Sequence, residues 1–214
     1  MPTTLTTEND TVMSACWIYL ASQSPRRRQL LEQWGVHCEL LLPNAEEDAE
    51  ALEHWDGQEA PATYVQRVTR LKLDAALQRR VQRNWVDGPI LCADTTVALG
   101  DQILGKPADT DHARLMLRQL SGQKHKVLTA VAVAHRGRVW RALSRSEVTF
   151  GDLSDHDIDR YVATGEPMGK AGAYAIQGLA GMFIRHIGGS YTGIMGLPAY
   201  ETAKVLRDAG LELL

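Results

Sequence analysis

"YLASQSPRRRQLLEQWG", residues 19 to 35, is the stretch whose reading decides the fold. It continues an apolar run, "CWIYL", suited to a buried strand. Ser24 suits a helix N-cap and Pro25 a first helical position, where the missing N–H costs nothing; Gly35, after Trp34, suits a helix stop. The stretch reads as strand, loop, helix. That order points free backbone N–H groups and the positive end of the helix dipole out of the loop, a ready anion site. Arg26, Arg27 and Arg28 fall in the first helical turn, where acidic side chains are ordinarily favoured, so either an anion offsets them or they form a solvated basic turn. Successive helical residues are about 100° apart, which makes Arg26 and Arg27 better placed than Arg28 to share one phosphate.

Outward from there, Tyr64, Val68, Leu71 and Ala75 recur at helical spacing from Pro61 to about Arg83, with Arg and Lys on the other faces. "ILCADTTVAL" predicts a largely buried strand, "GD" a tight turn and "QIL" the returning strand. A helix follows from Asp109 or Thr110, with Ala113, Met116, Leu117 and Leu120 on one face. "KVLTAVAVAH" and "VWRALSRSEVTF" predict a hairpin across "RG". Ser154 with Asp157 marks a helix start that runs to near Gly165, "MFIRHI" reads as a strand, and Pro198 opens a last helix. Hairpins and helical crossovers together predict an α/β protein with a mixed twisted sheet flanked by helices, its ligand site a cleft between two lobes.

The chain's 214 residues suit one domain or a compact two-lobed unit. A net charge of -3 gives no general attraction to nucleic acid or anionic membrane, so basic clusters have a local meaning. The polar, acidic start lacks a signal peptide's basic region, and no run approaches the roughly 20 apolar residues of a membrane span. The expectation is a soluble cytoplasmic protein. Cys16, Cys38 and Cys92 have neither the count nor the spacing of a disulfide framework or a zinc site. The seven histidines show no metal-binding spacing.

Asp94, inside the apolar "ILCADTTVAL", is costly to bury unless it is paired, hydrogen-bonded or metal-bound. It is therefore a functional candidate, against the alternative of a satisfied Asp at a strand end. A turn at Gly100 and Asp101 brings Lys106 opposite Thr95; in strict register Asp94 and Lys106 point to opposite faces, and a bulge would bring them to the same one. "GDQILGK" matches the opening of a P-loop, but Pro107 stands where Ser or Thr should hold magnesium, so that reading fails. Lys72, on the basic helix, Lys170 and Gln177, which bracket "KAGAYAIQG", and Glu46 and Glu47, in the acidic run 44 to 60, are each weak alone.

Together, "LASQSPRRRQLL", "ADTTVALGDQILGKP", "LSGQKHKVLTAV", "EPMGKAGAYAIQG" and "GGSYTGIMGLP" resemble, in order, the blocks of the Maf family of nucleoside triphosphate pyrophosphatases. "KAGAYAIQG" resembles the dTTP/UTP branch in particular, although one of its Ala residues replaces a more usual Gly. Residues 1 to 16 form an extension outside the pattern, leaving 17 to 214 as a single catalytic domain. The resemblance implies a Maf/ITPase-like fold and metal-assisted hydrolysis of a nucleoside triphosphate between its α and β phosphates, with Mg²⁺ or Mn²⁺. It puts the proton acceptor at Asp94 and phosphate-binding groups at Ser22, Ser24, Arg26, Arg27, Lys72 and Lys106. It further implies metal ligation by Glu47 and Asp94, base specificity from Arg26, Thr95 and Gln177, and a homodimer. Gln177 carries both a donor and an acceptor, matching the O4 and N3–H edge of uracil or thymine.

Overall fold

The computed structural model of the chain describes residues 16–44, 47–48 and 50–213; the N-terminal extension, apart from Cys16, and Glu46 lie outside them. In chain order the elements are β1 (Trp17–Leu20), α1 (Pro25–Gln33), β2 (His37–Leu40), α2 (Pro61–Gln82), β3 (Ile90–Leu99), β4 (Gln102–Leu104) and α3 (Thr110–Leu120). They continue with β5 (Lys124–His135), β6 (Arg138–Phe150), α4 (Asp155–Ala163), β7 (Ile184–Gly188), α5 (Tyr191–Met195) and α6 (Ala199–Asp208). Short 3-10 turns occupy Ala51–Glu53, Ala171–Ala173 and Leu179–Phe183. One sheet runs in the order β2-β1-β3-β5-β6-β7, with β4 also paired to β3. β1 is parallel to β2 and β3, and the remaining pairings are antiparallel, which makes the sheet mixed as the alternation of hairpins and crossovers predicts.

The path of β3 creates the site. Along one edge β5 pairs with it from Ile90 to Ala98. Along the other edge β1 pairs only at Ile90 and Leu91, and β4 only at Val97, Ala98 and Leu99. Cys92 to Thr96 are thus left without a strand neighbour on that side, at the carboxyl end of parallel β1, where open α/β sheets form their ligand crevices. Both faces of β3 are covered. Leu91 and Ala93 join Leu30 and Leu31 of α1 and Val205 and Leu206 of α6, whereas Ile90 and Cys92 join Leu73 and Ala76 of α2. Strand alternation then turns Asp94 toward α2 and Thr95 toward α1.

Local signals explain most element ends. Asp109 accepts a hydrogen bond from His112 N–H at 2.7 Å, and Ser154 and Asp157 form a complete capping box at the start of α4. In α2 the buried face differs from the expected stripe. Tyr64 and Val68 are on it, but Leu71 and Ala75 are only half-buried; the core receives Val65, Thr69, Leu73, Ala76 and Arg79 instead. The apolar spacing misled because a buried arginine with fixed partners serves as core: Arg79 donates to both Glu47 carboxylate oxygens and to the Leu41 carbonyl. Strand β7 begins at Ile184, because Met182 and Phe183 finish a 3-10 turn.

The Gly-rich segment after α4 is pinned against β3. Gly172 has φ +68°, and a Cβ there would meet Val97 Cγ1 at 2.9 Å, so no side chain is tolerated. Its N–H donates to the Gly105 carbonyl at 3.0 Å, joining this segment to the chain just before Lys106. Beneath it, His125 pairs with the Tyr174 hydroxyl at 2.8 Å and packs edge-on against Phe150, while its Nδ1 has no partner among the described residues.

Burial pushes the His125 imidazole down to about 4 from 6.5, so it is neutral in the fold. Above pH 6.5 neither state is charged there and stability is unaffected. As pH falls from 6.5 toward 4, the unfolded chain takes up a proton that the folded chain refuses, and stability is lost, by as much as about 3 kcal/mol. His125→Gln removes that dependence. Urea unfolding of both proteins at pH 7.5 and pH 4.5 should therefore show their stability difference shifting in favour of the variant at the lower pH; a constant difference would contradict a buried neutral histidine.

Candidate active site

The gap beside β3 opens into a cleft of about 560 Å³ lined by the loop after β1, by α2, by the chain after β4 and by residues 169–177. At its base Asp94 is 8% exposed. Lys72 Nζ, projecting from α2, lies 2.5 Å from its Oδ1 and 2.7 Å from Glu53 Oε1. Glu53 Oε2 in turn accepts from Lys106 Nζ at 3.0 Å. Two carboxylates and two ammonium groups thus form one chain, Asp94–Lys72–Glu53–Lys106. Glu53 is held by its backbone, whose carbonyl accepts from the Tyr64 hydroxyl at 2.7 Å.

The electrostatics follow from burial and count. Burial pushes the Asp94 carboxyl up, and the attractions of Lys72 and Arg27 pull it back without cancelling the effect. Burial also opposes charge on Lys72, yet Asp94 and Glu53 outweigh it and hold the ammonium above lysine's usual value. Glu53 is likewise opposed by burial, but Lys72 and Lys106 keep its carboxyl below the ordinary range. Lys72 therefore stays protonated, while Asp94 is a stronger base than a surface aspartate.

On the opposite side of β3, Arg27 donates through Nε to the Gly196 carbonyl at 2.7 Å, through Nη1 to Ser22 Oγ at 3.1 Å and through Nη2 to Thr95 Oγ1 at 3.2 Å. Thr129 Oγ1 gives its hydrogen to the Gly193 carbonyl at 2.7 Å, so in the 3.0 Å contact between Thr95 and Thr129 it is Thr95 that donates. A directed relay results, Arg27 to Thr95 to Thr129 to Gly193, which ties α1, β3, β5 and α5 together. The Thr95 proton is spent within the protein.

The start of α1 has no acidic residue in its first turn, and Ser24, though at the N-cap, makes no side-chain capping bond. Arg26 lines the same cleft, and its buried Nε has no partner among the described residues. Arg28 instead faces out and pairs with Glu32 at 2.6 Å. The first turn thus presents two arginines and free N–H groups to the cleft, as the 100° spacing of its residues requires.

Of the residues singled out in the sequence, Ser22, Ser24, Arg26, Arg27, Lys72, Asp94, Thr95, Lys106 and Gln177 all line this cleft. Lys106 reaches it without a bulge: the β3–β4 pairing keeps strict register and ends at Leu104, after which the chain leaves the ladder and the alternation of faces no longer applies. Glu47 is elsewhere. Its carboxylate is held by Arg79, which keeps its pKa below the usual range, and it is not among the described residues lining the cleft. The acidic side chain that meets Asp94's partner is Glu53, which the sequence reading did not single out. It sits in a run with Glu46, Glu47, Asp48 and Glu50, where nothing in the spacing distinguishes one carboxylate from another.

The cleft thus combines a buried carboxylate and its neighbouring lysine with a helix N-terminus that has no acidic residue in its first turn and carries two arginines. The chain belongs to the Maf family: residues 17–209 match the family described as Maf-like protein. A dTTP/UTP pyrophosphatase of a Polaromonas species is 60% identical over 200 residues, covering 94% of this chain and 99% of that protein. A dTTP/UTP pyrophosphatase of Cupriavidus metallidurans is 61% identical over 194 residues, covering 91% and 97%. A solved structure of a nucleoside-triphosphatase / dITP/XTP pyrophosphatase from Mycobacterium abscessus is 18% identical, with a TM-score of 0.41 over 63% of this chain and 74% of that one.

Arg27→Lys keeps the charge but loses the three-way fork, since an ammonium cannot reach three separated acceptors in the same fixed plane. The variant should lose about 1–3 kcal/mol of stability in urea unfolding, the cost of leaving half-buried acceptors unpaired. An unchanged midpoint and slope would show that the relay does not tie these elements together.

Proposed function

We propose that this protein hydrolyses dTTP and UTP between the α and β phosphates, releasing the nucleoside monophosphate and pyrophosphate. The observation that carries this reading is the pairing of Asp94 with Lys72 in a cleft whose other wall is a cationic helix start, in a chain so similar to proteins named dTTP/UTP pyrophosphatase. Asp94 accepts the proton of the attacking water; its burial raises its basicity and Lys72 keeps it oriented. Lys72, Lys106, Arg26, Arg27 and the α1 N–H groups offset the triphosphate charge and hold the α phosphorus in line with the water. Gln177, exposed at the cleft wall, reads the pyrimidine edge by donating and accepting at once. Thr95 serves by holding Arg27 in place.

A divalent cation fits the donor set. Asp94 and Glu53 offer the hard carboxylate oxygens that Mg²⁺ and Mn²⁺ prefer, with phosphate oxygens to complete the shell. When bound, the ion would stabilise charge on the leaving pyrophosphate and lower the pKa of a bound water.

Purified protein should release pyrophosphate with UMP or dTMP from UTP or dTTP, and turn over CTP, GTP, ITP and 7-methyl-GTP poorly. Asp94→Asn should lower kcat by about 10²- to 10⁴-fold while nucleotide still binds. Because the Asp94 carboxyl is raised and must be ionised to act, kcat/KM should fall as pH drops through a value above the ordinary carboxylate range. An acid limb at the usual carboxylate position would argue against Asp94 as the base, and binding without turnover would argue for a nucleotide sensor.

Gln177→Ala should raise KM for UTP and dTTP and narrow their advantage over other nucleotides by about tenfold or more, the scale of a lost discriminating hydrogen bond. An equal loss for every nucleotide, read from the same panel, would remove Gln177 from base recognition.

A further inference from the structure

Lys170 stands at the cleft wall beside Ala171, directly after the turn of residues 164–169, and the proposed reaction gives it no part. Its ammonium donates to the Glu166 carbonyl and, at 3.5 Å, to that of Met168, so two of its three N–H groups are fixed by backbone oxygens of its own segment. Carbonyls orient the ammonium without neutralising it. No salt bridge to Lys170 or to Arg26 is present among the described residues, although both line the same cleft. Glu166, the nearest acidic residue in sequence, directs its carboxylate to the Tyr161 hydroxyl and to the Leu179 and Ala180 N–H groups. Burial and then Arg26 disfavour charge on Lys170, against a weaker attraction from Glu166, and no carboxylate among the described residues forms an ion pair with either cation.

An anion entering that part of the cleft would meet both charges. The cation in contact with Asp94 is Lys72, and among the described residues neither Arg26 nor Lys170 forms an ion pair with it. The attacked α phosphorus must lie within reach of Asp94's water, so Arg26 and Lys170 serve charge further along the substrate. A nucleoside's sugar and base are neutral, which leaves the leaving phosphates. The hydrogen bond between Gly172 and Gly105 joins the segment of Lys170 to that of Lys106, and Arg26, Lys106 and Lys170 all line the cleft.

Resting on the proposed pyrophosphatase reading, we infer that Lys170, together with Arg26, binds the pyrophosphate half of the triphosphate. The assignment extends the phosphate site from the strand β3 edge to the Gly-rich segment that also carries Gln177, so one loop grips both ends of the substrate.

The test is calorimetric binding of inorganic pyrophosphate and of UMP to the wild-type protein and to Lys170→Met, Lys170→Gln and Lys170→Arg, alongside UTP turnover. Lys170→Gln can still donate to the backbone carbonyls, so it separates charge from loop support. Lys170→Met and Lys170→Gln should weaken pyrophosphate binding by about ten- to a hundredfold, as expected for a lost charge-assisted bond, leave UMP binding unchanged, and raise KM for UTP. Lys170→Arg should restore most of the affinity. Unchanged pyrophosphate affinity, equal weakening of UMP and pyrophosphate, or a Gln variant that binds like wild type would each overturn the assignment while wild-type turnover leaves the pyrophosphatase reading standing. If the wild type releases no pyrophosphate from UTP or dTTP, that reading falls and this one with it.

Discussion

Asp94 cannot be left bare. A carboxylate that is 8% exposed in the middle of a strand is tolerable only because Lys72 comes 2.5 Å from it, and that contact sets demands on everything around it. Helix α2 must lie across the α2-facing side of β3 in one rotation, and its long apolar and basic sequence must put Lys72 over the gap rather than in solvent. The gap exists because β1 stops pairing at Leu91 and β4 starts at Val97. Were either strand longer, the ladder would close over Asp94 and the cleft would vanish.

The two sides of β3 solve different problems. On the α2 side the charges alternate in a chain of four, and proton affinity is what is tuned: Asp94 up, Lys72 up, Glu53 down, each by its burial set against its neighbours. On the α1 side the groups are an arginine, hydroxyls and backbone carbonyls, and position is tuned instead. The fork of Arg27 and the directed hydroxyl relay through Thr95 and Thr129 fix a cation between the helix start and the Gly196 carbonyl. A single strand thereby carries a reactive group and a positioning group on successive residues, because alternation sends successive side chains to opposite faces.

Position on β3 also explains why the acidic segment after β2 matters. Glu47 and Glu53 belong to the same run, yet one staples the segment to buried Arg79 and the other enters the cleft between Lys72 and Lys106. The staple brings Ala51–Glu53 over the site. Whether a carboxylate in such a run is solvated, structural or functional depends on which cation it meets, and the cations come from α2, remote in sequence.

Much of the architecture was legible from short-range chemistry. The strand, loop and helix of residues 17 to 33, the hairpin of "ILCADTTVAL" with "QIL", the capping residues Asp109 and Ser154, and the misplaced arginines follow from side-chain size, caps and the helix dipole, all properties of neighbours in sequence. So did the singling out of Asp94, since a carboxylate in an apolar strand is costly wherever that strand is buried. The rotation of α2, the departure of Lys106 from the ladder, the commitment of Glu47 to Arg79 and the entry of Glu53 depended on pairings across 19 to 53 residues of chain. Those are decided by which surfaces meet when the sheet closes, and an ion pair leaves no periodic trace in the sequence of either partner.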